Sequence, residues 1–201
     1  MKLGSHNSFT YLAPRKWWMY LCIPFARCQS KTIIQQYMAG ARYFDLRVRF
    51  TAPDVNTLTV AHGLMEYRIT QTELTSILRW LNYHAWNKQE DVYVRVLYEM
   101  PSRDLTEDAE AKEDVFRMFC RDLVRLFPNI RFCGGQRKYD WHQIHTFADA
   151  HPESLDLFSS RTWTVLDDWC PWLYARLMNR RNIRKYLPGK PDDKFILIDF
   201  I

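Results

Sequence analysis

The sequence predicts an α/β protein, a small and irregular TIM-type (β/α) barrel, and three observations carry that expectation. Segments with strand period alternate with segments of helical period along the chain, the order expected of a parallel sheet with crossover helices. The strand at 42–50 carries Phe44, Leu46, Val48 and Phe50 on one face and Tyr43, Asp45, Arg47 and Arg49 on the other, by the two-residue period of an extended chain. A half-buried strand would leave those charges in water. In a barrel both faces are covered, so they point into the lumen and need partners or a ligand. No glycine-rich phosphate loop follows the first strand, which argues against an open doubly wound sheet. The 201 residues are expected to form one domain, 1–201, near the lower limit for eight strands.

The elements follow in order. Leu3-Gly4-Ser5-His6-Asn7-Ser8-Phe9, a short apolar start with a Gly-Ser turn and then an imidazole, reads as a strand delivering a histidine at its carboxyl end, where such a barrel keeps its chemistry. An aromatic and basic stretch broken by Pro14 and Pro24 comes next. A helix is predicted from a Ser30 cap to Gly40, with Ile33, Ile34, Tyr37 and Met38 buried. After the strand at 42–50, a turn at Pro53, Asp54 and Asn56 leads to a third strand, 58–63, which also ends in a histidine, His62. Two such strands in parallel order place both imidazoles at one rim.

The spacing of Leu74, Ile77, Leu78 and Leu81 predicts a helix over 70–86, with Thr72 as a fair cap. The strand at 91–99 turns its valines toward helices and Tyr93, Arg95, Leu97 and Glu99 inward. A helix over 106–127 has the stripe Val115, Phe116, Phe119, Leu123 and Leu126. A short strand at 130–133, a helix over 151–158, a strand at 161–169, a helix over 171–186 and a last buried strand, 195–201, complete the chain, the last with the single carboxylate Asp199.

Composition narrows the function classes. A hydrophobic fraction of 47% and an aromatic fraction of 15% mark a globular chain. The net charge of +5 and pI near 9.0 permit an anionic partner without choosing it. A basic cluster over 176–185 is as readily a solvated helix face as a docking patch. No nucleic-acid-binding motif accompanies the charge. Five cysteines form neither CxxC pairs nor a zinc spacing, although Cys22 and Cys28 can pair across the first loop. No secretory signal is read before the first motif, and the apolar run 17–25 is far short of the roughly 20 residues that span a bilayer. A soluble or peripheral protein is expected, secreted if a leader precedes these residues.

Five stretches then point the same way: Gly4-Ser5-His6-Asn7-Ser8, Gly40-Ala41-Arg42-Tyr43-Phe44-Asp45-Leu46-Arg47, His62-Gly63-Leu64, Thr164-Val165-Leu166-Asp167-Asp168-Trp169 and Phe195-Ile196-Leu197-Ile198-Asp199-Phe200-Ile201. Together, and in this order, they resemble the X-domain of phosphatidylinositol-specific phospholipase C in its metal-independent bacterial form. The resemblance implies that His6 is the general base on the inositol 2-hydroxyl, that Asp199 holds its imidazole, and that His62 is the general acid for the leaving diacylglycerol. It further implies that Arg47 supplies the charge for the phosphate, Asp45 completes the polar network, and Asp167 and Trp169 bind and stack on the inositol ring. Tyr98 or Glu99 takes the substrate-contacting place at the end of the fourth strand. Asn7 stands where bacterial members usually carry Asp, and it can hydrogen-bond phosphate or inositol without adding charge beside Arg47. A basic residue expected on the fifth strand is missing, since Arg131 comes too early, and no final helix follows Asp199.

The chemistry asks for the same parts. Attack of a neighbouring hydroxyl on phosphorus needs one base and one acid that titrate near neutrality, as histidine does. It needs a cation on the non-bridging oxygens, where a guanidinium offers paired donors. The nucleophile belongs to the substrate, so proximity is intramolecular. Calcium-dependent relatives place an acid at the position of Arg47; a fixed cation there repels a metal, so no metal and no cofactor are expected.

The expected partners are a phospholipid substrate and a membrane surface, the chain acting as a monomer. Trp17, Trp18, Tyr20 and Phe25, flanked by Arg15, Lys16 and Arg27, suit an interface, though the same aromatics would equally cap a barrel. Two other functions stay open: a catalytically weakened module that binds anionic lipid, and a related barrel phosphodiesterase for another head group.

Overall fold

The first strand lies between two others that arrive from opposite ends of the chain. This computed structural model describes residues 2–99, 108–134, 154–158, 170–188 and 194–201. It divides into two compact units, Met1–Asp45 with Pro152–Ile201, and Leu46–His151.

In the first unit β1 (Lys2–Ser5) pairs in parallel with the opening half of β2 (Ala41–Phe50) and with β8 (Phe195–Ile198). β8 also pairs in parallel with β7 (Ser154–Asp156). Three helices belong here: α1 (Ile23–Ala26), entered from a 3-10 turn over Trp17–Cys22, α2 (Ile33–Met38) and α5 (Pro171–Tyr186). Ile196, Ile198 and Leu157 form the core, with Leu3, Leu155 and Ile183 packed on it.

The second unit takes the closing half of β2, which pairs antiparallel with β3 (Leu58–His62), itself antiparallel to β4 (Met65–Tyr67). β5 (Val92–Tyr98) pairs with β2 and, in parallel, with β6 (Ile130–Gly134). Two long helices, α3 (Gln71–Lys88) and α4 (Ala109–Leu126), cover these strands. Phe50 packs against Tyr98 and edge-on against Phe119, and Tyr98 stacks on Phe116.

Several expectations are corrected. β3 runs antiparallel to β2, because a connection of seven residues can close a hairpin but not a parallel crossover, which needs a dozen or more residues. The shared direction that placed both histidines at one rim therefore does not hold. The α2 cap is Thr32 in a reciprocal box with Gln35, not Ser30, and the α3 cap is Thr70 with Glu73, not Thr72; in both, the reciprocal partner three residues on decides the position. On α2, Gln36 is buried while Ile34 and Met38 are exposed. On α4, Leu126 is 56% exposed and Cys120 takes the inward place. Residues 154–156 form β7 rather than helix, because β8 offers them an edge. The strand expected at 161–169 lies outside the described residues. Cys22 and Cys28 form no disulfide with each other.

Candidate active site

Backbone crowding sets up the first group of polar residues. A Cβ on Gly4 would overlap Leu197 of β8 and press on Tyr43 of β2, so only glycine lets the three strands approach this closely. Ser5 donates its hydroxyl to Gln36 Oε1 at 2.5 Å. Asn7 adopts the left-handed conformation, φ 44°, which Asn tolerates better than most residues. Ser8 closes the turn, its hydroxyl donating to the Ser5 carbonyl (2.9 Å) and accepting from the Asp45 N–H (2.7 Å). The Asp45 carboxylate accepts the Asn7 N–H at 3.1 Å. Thr10 donates to the Asn7 carbonyl and accepts from the N–H groups of Cys28 and Gln29.

This turn delivers His6 to Asp199. His6 Nδ1 lies 2.7 Å from Asp199 Oδ1, and both side chains are buried. An ionised carboxylate only accepts, which assigns the ring proton to Nδ1 and leaves the lone pair on Nε2. Asn7 Nδ2 donates to that lone pair at 3.2 Å. Phe158 stacks on the imidazole, ring centroids 3.7 Å apart and 2° from parallel.

Buried amides hold the pair in place. Gln29 Nε2 donates to the carbonyls of His6 (3.1 Å) and Ile198 (3.0 Å), while its Oε1 accepts the Ile201 N–H. Asn179 of α5 donates to the Asp199 carbonyl at 2.6 Å. Phe200, next in the chain, sits at φ 49° with its N–H bonded to the Cys28 carbonyl; an aromatic residue in this region is strained and persists only where its surroundings over-determine it.

The second unit assembles another group. Glu99, buried just past β5, accepts the Gly63 N–H on Oε1 at 2.5 Å and pairs with Arg47 Nη1 through Oε2 at 3.4 Å. Gly63, at φ +58°, follows His62 directly, so Glu99 anchors the turn that ends the strand bearing His62. Arg49 donates to the carbonyls of Glu99 and Gly63 and pairs with Glu66 at 3.5 Å. Tyr98 belongs to the aromatic core, while Glu99 joins this polar group. Tyr93 is partly buried, and burial pushes its phenol up from its ordinary range. Arg131 is exposed and paired with Asp91 at 2.8 Å; the buried cation on this face is Arg95.

The sequence-predicted residues thus fall in two groups, His6, Asn7, Asp45 and Asp199 in one unit and Arg47, His62 and Glu99 in the other. Asp167 and Trp169 lie outside the described residues. Trp17 is 80% and Trp18 40% exposed, with Tyr20, Leu21 and Phe25 also exposed and Met19 buried beneath them. Sequence reasoning missed Gln29, Gln36, Asn179, Cys28 and Phe158. For Gln36 a signal existed, since it shares the buried face of α2 with Ile33 and Tyr37; for the others a lone polar or aromatic residue in a loop or helix carries none.

No protein-family model matches the chain, and no curated protein matches it in sequence. Solved structures do. The chain is similar to the phosphatidylinositol-specific phospholipase C from Listeria monocytogenes, with a TM-score of 0.67 at 14% identity over 99% of this chain and 87% of that one. It is also similar to two variants of the Staphylococcus aureus phosphatidylinositol-specific phospholipase C. Their TM-scores are 0.64 and 0.65 at 14% and 13% identity, over 99% of this chain and 85% and 84% of theirs. The chain therefore has the fold of these bacterial phospholipases, a TIM-type (β/α) barrel, small and irregular.

Proposed function

We propose that the chain is a phosphatidylinositol-specific phospholipase C-like phosphodiesterase, one barrel domain over 1–201 that cleaves an inositol phospholipid to diacylglycerol and a cyclic inositol phosphate. The observation that carries this is the His6–Asp199 pair, which leaves a lone pair on Nε2 for proton abstraction. His6 takes the proton of the inositol 2-hydroxyl, whose oxygen attacks phosphorus as the bond to the diacylglycerol oxygen breaks. His62 returns a proton to that oxygen. Arg47 faces the charge on the non-bridging oxygens, Asp45 holds the Asn7 turn, and Asn7, Glu99, Asp167 and Trp169 contact the head group. No step needs a metal or another cofactor.

The lipid is met at a membrane surface by a monomer, and no nucleic acid is bound. Supporting this, the Staphylococcus aureus enzyme is one whose membrane binding has been modulated, and the exposed rings of Trp17 and Trp18 have the chemistry of an interface. Among the described residues no helix is long and apolar enough to cross a membrane. Replacing both tryptophans by Ala is expected to weaken binding to phosphatidylinositol vesicles; unchanged binding removes them from the interface.

A second reading, a module that binds lipid without cleaving it, is favoured by the closure over His6. The ring is 5% exposed, lies under Phe158 and has Asn7 on its lone pair. Cleavage of phosphatidylinositol in EDTA decides: the cyclic product forms with the native chain and is lost in His6→Ala and His62→Ala. Vesicle binding without any product establishes the second reading, and product from another phosphodiester alone changes the head group.

A further inference from the structure

The first unit sets beside the His6–Asp199 pair a third donor, Cys28, that no step above uses. Cys28 Sγ, a ring nitrogen of His6 and a carboxylate oxygen of Asp199 lie within 4.8 Å of one another, and all three residues are buried. Thiolate, imidazole and carboxylate are the donors a borderline-soft divalent ion takes, tetrahedrally at roughly 2.0–2.3 Å. Donors at those bond lengths stand about 3.3–3.8 Å apart, so small side-chain shifts close the cluster round an ion. Asn7 supplies an independent observation. Its amide sits between the other donors, with Nδ2 3.2 Å from His6 Nε2 and 3.5 Å from Cys28 Sγ. Its Oδ1 is buried with no hydrogen-bond partner among the described residues.

We propose that His6, Cys28 and Asp199 form a Zn²⁺ site, its fourth position left to solvent, whose occupancy switches His6 off as a base. Binding releases the Cys28 thiol proton to solvent. The ion takes Nδ1, the nitrogen that faces Asp199, and the ring proton moves to Nε2, so the lone pair that would abstract a proton is lost. The ligands come from positions 6, 28 and 199, so no short cysteine and histidine spacing announces them. The inhibitory consequence rests on the phospholipase reading; metal binding itself does not.

Cobalt tests the site without reference to activity. Co²⁺ added to metal-free protein is expected to give a thiolate-to-cobalt charge-transfer band with tetrahedral d–d absorption, displaced by Zn²⁺. Cys28→Ser removes the band and Cys22→Ser keeps it. Zn²⁺ at the displacing concentration is expected to stop phosphatidylinositol cleavage, reversibly with EDTA. Cys28→Ser, measured against its own metal-free rate, should need at least about tenfold more zinc. X-ray absorption of the cobalt-loaded native chain makes the same decision should the variant fold poorly, since one sulfur neighbour supports the site and a shell of nitrogen and oxygen alone overturns it. Absence of the band, or its survival in Cys28→Ser, overturns the site whether or not lipid is cleaved. A Cys28-dependent band in a protein that cleaves nothing supports the site and overturns only the phospholipase reading.

Discussion

The two units hold their polar groups by opposite means. Around His6 the network runs mainly through neutral amides and hydroxyls: Ser5, Asn7, Ser8, Thr10, Gln29 and Gln36 are all buried, and one further carboxylate, Asp45, accepts the Asn7 N–H beside the His6–Asp199 pair. Around Arg47 the second unit relies on ion pairs, Arg47 with Glu99 and Arg49 with Glu66, at 3.4 and 3.5 Å and still partly open to water. A dry, mostly neutral network fixes geometry while adding few charges. Long ion pairs do something else. At well beyond the 2.7–2.9 Å of a strong charged hydrogen bond, they hold their guanidinium groups loosely. On the phospholipase reading proposed above, the base needs rigidity and the anion site needs exchange.

Four substitutions break or sharpen that contrast. Asp199→Asn is expected to cost the most activity, on the order of 10³–10⁴ in kcat, because the amide can donate to Nδ1 and stabilise the wrong tautomer; rates on soluble and vesicle-bound phosphatidylinositol check it. Glu99→Gln should lower kcat/KM by about 10–100-fold, since Arg47 and the turn after His62 lose a shared anchor. A loss as large as that of Asp199→Asn would dissolve the distinction between rigid and exchangeable groups. Gln29→Leu leaves the buried carbonyls of His6 and Ile198 and the N–H of Ile201 without the partner they now share. It should destabilise the fold by about 2–3 kcal/mol, read as a shift in the urea midpoint with unchanged slope.

The smallest effect belongs to an exposed cap in the second unit. The N–H and hydroxyl of Thr70 bond the Glu73 carboxylate and hold it below its usual range. A carboxylate with a lowered folded value contributes stability above its unfolded value and loses it as pH falls through the folded one. Thermal unfolding of Glu73→Gln should therefore lie below that of the native chain at pH 7, and the gap should close on acidification below about pH 4.

Much of this was legible from residue spacing. The period of two over 42–50 identifies β2 and the need for cover on both faces, and the apolar stripes of α3 and α4 follow from a period near 3.6. His6 and Asp199 stand out because a titratable side chain at the end of an apolar strand is costly unless partnered. Gln29 and Asn179 were not legible, since nothing local distinguishes an amide that bonds distant carbonyls from one that faces water. Phe158 gave no sign either; its partner, the His6 ring, is 152 positions away in sequence (158 − 6). The direction of β3 was readable from its short connection, and the matching histidine endings outweighed that rule.

Residue spacing alone gives most of the strands and helices, the core stripes of α3 and α4, and the side chains with the chemistry for a phosphodiester, because periodicity and residue type are local properties; strand β7 and the exposure of Ile34, Met38 and Leu126 are beyond its reach. Only the tertiary structure decided who meets whom: that β8 closes on β1 to bring Asp199 to His6, that Gln29 bonds the backbone on both sides of that pair, and that Cys28 and Asn7 arrive beside the same ring. The reason is physical. A pattern reports the face a residue turns and the group it carries, whereas a partner nearly two hundred positions away is selected by the packing of every strand between them.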